Sequence, residues 1–566
     1  MSGPAPLAGA GRVAGAAALI AVLTVLSRLA GFGRTAVFTW VVQQSDLGGM
    51  YVIANTVPNI VFEIVAGGAL ASLVVPLLAG AVAAGDRRAV AATTGALLTW
   101  TVSLLVPLAV LVAVFADPVM SLISENRSAA ELAAGARMLR VFAPQLPLYG
   151  IGIVLTGVLQ AHRRFAWPVI APLLSSLTVI VVYLAFGAGQ GRGASVAQVS
   201  RGGELVLSAG TTLGVVVLSL SLLIPLRRLG LRLRPGYAFP ADARARVSGL
   251  AAAGAVTVAA QQVALLVILN RVSGGPTGSP QVFNLAQTIF LLPWAVLAVP
   301  LAVASYPTLA TASAAGDDEG YRRTLSTTVR SVLLFSCLGA AALIGTAQPV
   351  AALFYPDNPS STAAAIIGFA PGLLGYGLFA VLSRALYARG DTRPATVAIT
   401  VGWLVVPAVA LPLAALLAPA DRVLAATVAN SVGMLVLGAL LIVAVLRSAG
   451  RPALAGAARA GVAGGLAAVV AALAGLGLVR WLDTPGGGTP TTAGALGQGM
   501  LSGVLIGVVF LVVVWFVDRR DVRPLLAGVL RRLGRAGRRG PREGAGGSAP
   551  GAVGPERGDG KETVRG

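Results

Sequence analysis

Long apolar runs alternate with short polar stretches rich in Arg, Gly and Pro along the chain. An apolar run of about 18 or more residues predicts a transmembrane helix, because a hydrocarbon core roughly 30 Å thick takes about 20 residues at 1.5 Å each. About fourteen such runs can be placed, at 13–42, 48–82, 89–115, 132–160, 165–188, 204–229, 245–271, 281–310, 327–354, 364–388, 394–418, 422–447, 456–480 and 494–517. The pattern predicts an all-α polytopic membrane protein. The first run does not read as a cleavable signal, since Arg28 and Arg34 interrupt it and it leads directly into the second.

Charge follows the same rhythm. The even-numbered connections hold seventeen Arg against six acids, and the odd-numbered ones five Arg against eight acids. Positive charge collects in short cytoplasmic loops, so the split predicts that both termini are cytoplasmic. Across the whole chain of 566 residues, 56% are hydrophobic and 11% charged, against about 25% charged in a soluble domain. The net charge of +21 is therefore mostly topology, and it does not point to nucleic acid. A single Cys (Cys337) and a single His (His162) exclude a disulfide scaffold and His/Cys zinc motifs, and they leave no credible nucleophile-base pair. No P-loop is present, so ATP does not drive the chain directly, and no cofactor or metal is called for.

The sequence also repeats. The string P-L-L-A-G-A-V-A-A-G-D from Pro76 to Asp86 returns as P-T-L-A-T-A-S-A-A-G-D from Pro307 to Asp317, an offset of 231 (307 − 76). Q-A-H-R-R-F-A-W-P ending at Pro168 is echoed by Y-A-R-G-D-T-R-P ending at Pro394, an offset of 226 (394 − 168). Both pairs lie six spans apart and on the same side, which predicts two parallel six-helix pseudo-repeats, as in many secondary transporters. The expected divisions are a short N-terminus at 1–12, an N-lobe at 13–229, a C-lobe at 230–447, two extra helices at 448–517 and a basic tail at 518–566. That tail holds twelve basic and six acidic residues among Gly and Pro, so it should be disordered. Its part from Arg519 to Arg542 is expected either to lie on anionic headgroups or to stay solvated and fix topology.

Charges inside a span are costly and mark functional candidates. Arg330 and Arg384 lie near span ends and can snorkel, while Arg137, Arg140 and Arg271 either snorkel or line an outer vestibule. Arg28 and Glu63 each sit about fifteen residues into their spans, roughly 22 Å deep, and must face each other or an aqueous cavity. Arg34 follows Gly31-Phe32-Gly33, where two glycines can kink or break the helix. Two readings stay open: a buried Arg-Glu pair that fixes helix register, or a cavity whose guanidinium groups bind an anion such as phosphate. Asn59 shares the Glu63 face, and the matching stretch of the second half carries Asn284 and Gln287 without charge. Pro58, Pro76, Pro144, Pro147, Pro293, Pro300 and Pro307 fall within spans, where each loosens a helix.

L-S-R-L-A-G-F-G-R (Leu26 to Arg34), V-P-N (Val57 to Asn59), G-A-L (Gly68 to Leu70), the V-P at Val75 and Pro76, and Y-A-R-G-D-T-R-P (Tyr387 to Pro394) together resemble the MurJ/MviN family of lipid II flippases. The resemblance covers roughly residues 13–517. It implies the multidrug and polysaccharide-lipid exporter fold in a bacterial plasma membrane, two lobes around a cationic cavity. It also implies transport of an undecaprenyl-pyrophosphate-linked peptidoglycan precursor from inner to outer leaflet by alternating access, with other cell-wall synthesis proteins as conceivable partners. Arg28 and Arg34 match family positions that would face the pyrophosphate, with Asn59 beside them. Departures are Thr35 where the family usually has an acid, Phe62 and Glu63 where it often has basic residues, and Ala286-Gln287 where it has an acid-Arg pair. Either the cargo differs, or the missing cations come from Arg137, Arg140 and Arg271. The alternatives to a lipid II flippase are an exporter of another polyprenyl-linked glycan or a drug, and a non-transporting cell-wall scaffold.

Overall fold

The computed structural model describes residues 8–238, 241–482 and 491–517, and side chains within them except at 8–21, 66–73 and 241–253. The expected basic tail at 518–566 lies outside the described residues, as do residues 1–7 of the short N-terminus. Every regular element among the described residues is helical: α1 Ala8–Val42, α2 Asp46–Phe62, α3 Gly68–Ala83, α4 Arg87–Val114, α5 Ala116–Ile123, α6 Ala129–Phe142, α7 Gln145–Ala161, α8 Ala166–Gln190, α9 Arg201–Leu220, α10 Leu223–Arg227 and α11 Ala241–Ser273. The chain continues through α12 Ser279–Pro293, α13 Val299–Ala314, α14 Asp318–Gly345, α15 Ala347–Phe354, α16 Pro359–Phe369, α17 Gly372–Ala388, α18 Thr392–Leu416, α19 Arg422–Ala449, α20 Ala457–Leu482 and α21 Thr492–Val517. Twelve helical segments are long and apolar enough to cross a membrane, or thirteen when α16 and α17, bent by 40°, count as one span. The first expected span corresponds to α1, a helix of 35 residues outside that count.

The two halves have the same plan. Single π-helical turns interrupt the second and eighth spans at Glu63–Gly67 and Trp294–Ala298, again 231 residues apart (294 − 63). The first follows Pro58 by one turn and the second begins directly after Pro293, whose missing N–H releases a carbonyl and lets the register widen. Packing repeats as well: α1 on α8 as α11 on α18, α2 on α6 as α12 on α16, α3 and α4 on α7 as α13 and α14 on α17. The outer pairs α8 with α9 and α18 with α19 complete the correspondence. The extra helices α20 and α21 pack on each other and on α14.

The repeated string has a local cause. Gly85 and Gly316 have φ of 70° and 69°, the left-handed conformation that ends a helix. The aspartate that follows then caps the next helix, with Asp86 accepting from the backbone N–H of Arg88 and Ala89 and Asp317 accepting from that of Gly320. One expectation fails at Gly31 and Gly33, because α1 runs through both without a break. A Cβ at either would meet nothing within 4 Å, so no neighbour forces the helix aside and the interruptions fall at the prolines instead.

Candidate functional site

Four polar residues recur every fourth position along α2 and into the π-helical turn after it: Tyr51, Asn55, Asn59 and Glu63. The first two face a cavity also lined by Arg34, Thr35 and Phe38 of α1, Val52 and Thr56 of α2, Tyr183 of α8, Thr211 of α9 and Asn284 of α12. The cavity therefore draws on both halves of the molecule. Its wall is a directed chain of hydroxyls: Thr211 donates to the Leu207 carbonyl at 2.8 Å and contacts the Tyr51 hydroxyl at 2.8 Å, which contacts the Tyr183 hydroxyl at 2.7 Å. With the Thr211 proton committed to Leu207, Tyr51 must donate to Thr211 and Tyr183 to Tyr51. The tyrosine oxygens keep lone pairs beside the positive charge of Arg34. Below them Gln145, fully buried, bonds to Thr212 at 3.1 Å and to Asn55 at 3.5 Å, and receives the Tyr149 hydroxyl at 3.2 Å.

Of the six residues singled out from the sequence, Arg34 and Asn284 are brought together here. Arg28 is not among the lining residues: six residues from Arg34 on an unbroken helix, it points about 120° away. Among the described residues neither guanidinium forms an ion pair or hydrogen bond, and no ion pair joins Arg28 or Arg34 to Glu63. Asn59 is exposed one turn beyond Asn55, Glu63 is half-buried in the π-helical turn, and Gln287 is half-buried one turn after Asn284. Tyr51, Asn55, Tyr183 and Thr211 were not singled out, although Asn55 carries a signal, its spacing of four from Asn59.

The arginines nominated as replacement cations are already occupied. Arg137 makes a two-pronged pair with the buried Glu204, Nε to Oε1 at 2.9 Å and Nη2 to Oε2 at 2.7 Å. Arg140 pairs with Asp117, and Arg271 lies 3.6 Å from Glu125. Each is spoken for by an acid on a neighbouring segment.

Above the cavity, at the Arg-poor ends of the helices, the halves are stitched together. Gln281 donates to the Ser45 carbonyl at 2.6 Å, Arg127 to the Ser273 carbonyl at 2.5 Å, and Asn270 to the Leu122 carbonyl at 3.0 Å. Glu125 Oε2 lies 3.6 Å from both Arg271 and Arg422. These hydrogen bonds and ion pairs join the first six spans to the next six at this end.

A family model described as "Lipid II flippase MurJ" matches residues 44–484, more than three quarters of the chain. The chain belongs to the MurJ family. A lipid II flippase MurJ of Burkholderia cenocepacia is 25% identical over 401 residues, covering 68% of this chain and 74% of the relative. A probable lipid II flippase MurJ of Rhizobium meliloti is 27% identical over 443 residues, covering 74% and 78%. The fold matches a solved structure of lipid II flippase MurJ in an inward closed conformation with a TM-score of 0.68, at 19% identity, over 88% of this chain and 98% of that one. An inward-facing transporter of the MATE family matches with a TM-score of 0.61, at 14% identity, over 75% and 98%. The two pseudo-repeats are those of the MurJ fold, with α20 and α21 as the extra pair.

Proposed function

We propose that the chain is a transporter that carries lipid II from the inner to the outer leaflet of a bacterial plasma membrane, making and breaking no covalent bond. The observation that carries this reading is Arg34, an unpaired guanidinium lining a cavity between the two halves of a MurJ-family fold, opposite Asn284 and beside hydroxyl and amide groups. A phosphoryl oxygen accepts two parallel N–H bonds from such a group, while the isoprenoid tail stays in lipid. Around it we assign the headgroup path to Arg28, Asn59 and Glu63 of the first half and Asn284 and Gln287 of the second. An exporter of cationic drugs would want several carboxylates here, and Glu63 is the one acid well inside a span.

The halves at 13–229 and 230–447 would rock about the cavity, with the Arg-rich ends and both termini cytoplasmic. The test is complementation. A host depleted of its own flippase and expressing this chain should regain lipid II on the outer leaflet, read with a probe of surface-accessible precursor. Arg34→Ala should abolish recovery and Asn284→Ala should weaken it. Failure of the wild type would overturn the cargo, and full recovery with Arg34→Ala would overturn the site.

A further inference from the structure

The Arg-rich ends of the two halves are built differently. In the second half, Asp318 takes Arg389 at 2.8 Å and Arg322 at 3.8 Å, and Glu319 takes Arg323 at 2.5 Å. In the first half Arg88, Arg163, Arg227, Arg228, Arg232 and Arg234 are all exposed, and none forms an ion pair among the described residues. The neighbouring acid, Asp86, is spent on the α4 cap. These arginines surround one hydrophobic cluster that holds Val90, Leu226, Leu231 and Leu233. The connection after α10 lies on that cluster in extended form, with Leu231 and Leu233 turned inward and Arg232 and Arg234 outward.

Its far end is pinned to α4. The Gly236 N–H bonds to Thr99 at 3.1 Å, Trp100 Nε1 to the Tyr237 carbonyl at 3.1 Å, and the Tyr237 hydroxyl to Ser103 at 2.8 Å. The Trp100 and Tyr237 rings meet edge to face at 5.2 Å, and both are half exposed. The backbone of Arg234 lies against Gly95, so the segment runs along α4 with its arginines exposed.

Topology alone requires positive charge at this end, and exposed Arg393, Arg447 and Arg451, without an ion pair among the described residues, meet it in the second half too; the first half differs in gathering its exposed arginines around one apolar cluster. We propose that this face of the first half is a docking surface for anionic phospholipid headgroups, whose phosphodiesters complete the unpaired arginines. The test is native mass spectrometry of the full chain extracted from vesicles of equal phosphatidylglycerol and phosphatidylcholine. The wild type should retain phosphatidylglycerol preferentially, and R232Q/R234Q should lower that preference on the order of tenfold. R232K/R234K should keep most of it and Arg323→Gln all of it. An absence of preference in the wild type, a wild-type ratio in R232Q/R234Q, or an equal loss in Arg323→Gln would each overturn the proposal. Should R232Q/R234Q fail to insert, extraction of the wild type in 1 M salt decides: loss of the preference supports the surface and its persistence overturns it.

Discussion

Arg137 shows how a charge within an apolar helix is made compatible with its surroundings. Glu204, buried with 8% of its side chain exposed, meets it through two parallel hydrogen bonds 67 residues away in sequence. Breaking such a pair leaves a buried charge uncompensated. Glu204→Ala should therefore destabilise the protein by on the order of 2 kcal/mol, read as a lowered thermal midpoint in detergent. Cargo affinity should stay unchanged, whereas Arg34→Ala should lower affinity with little effect on the midpoint. Nothing in the sequence near Arg137 named its partner, because α6 and α9 meet only in the folded bundle. The caps were legible for the opposite reason: Gly85-Asp86 and Gly316-Asp317 act within one turn of chain, and their chemistry is local. Asp86→Ala should cost about 1 kcal/mol by the same thermal measurement, since two N–H groups of α4 lose their acceptor.

Helices carry the next level of legibility. Spans and their connections followed from apolar run length and the placement of Arg, both of which a bilayer imposes directly, and the twofold plan followed from the strings repeated at Pro76 and Pro307. Which faces meet was hidden, because alanine-rich helices offer similar surfaces all round. The α17–α19 crossing is decided by small residues instead. A Cβ on Gly375 would fall 1.9 Å from the Met434 carbonyl, and Gly438 approaches the Gly375 backbone. Close backbone approach is the main source of helix association where lipid removes the hydrophobic drive. Gly375→Val should therefore part the helices and cost more than about 2 kcal/mol, with loss of monodisperse protein on size exclusion. Gly503→Val on α21, where a Cβ meets nothing within 4 Å, should leave the elution profile unchanged. The cavity was only half legible at this scale: α2 announces its polar ridge through a spacing of four. Tyr183 and Thr211 join it from spans whose other polar residues serve different ends.

For the molecule as a whole, the stitched Arg-poor end sets which way the cavity opens. Glu125 stands between Arg271 and Arg422, and its backbone N–H donates to the Ser273 hydroxyl at 2.7 Å, so one residue ties the α5–α6 connection to both α11 and α19. The carboxylate and both guanidiniums are half-buried or deeper, and an opening between the halves must pull them apart. Glu125→Gln removes the charge and keeps the shape. It should weaken the closed arrangement by about 1 to 2 kcal/mol, a tenfold or larger shift toward the state open at that end. The shift can be read in a Cys337→Ala background carrying Asn55→Cys in the cavity wall, with a membrane-impermeant thiol reagent supplied from one side at a time. With Glu125 intact, labelling should come from the Arg-rich side. With Glu125→Gln it should also come from the Arg-poor side, and Arg127→Ala, which releases the Ser273 carbonyl, should add to it. Labelling confined to the Arg-rich side in both variants would mean that the seam at Gln281 and Ser45 holds the halves without help from charge.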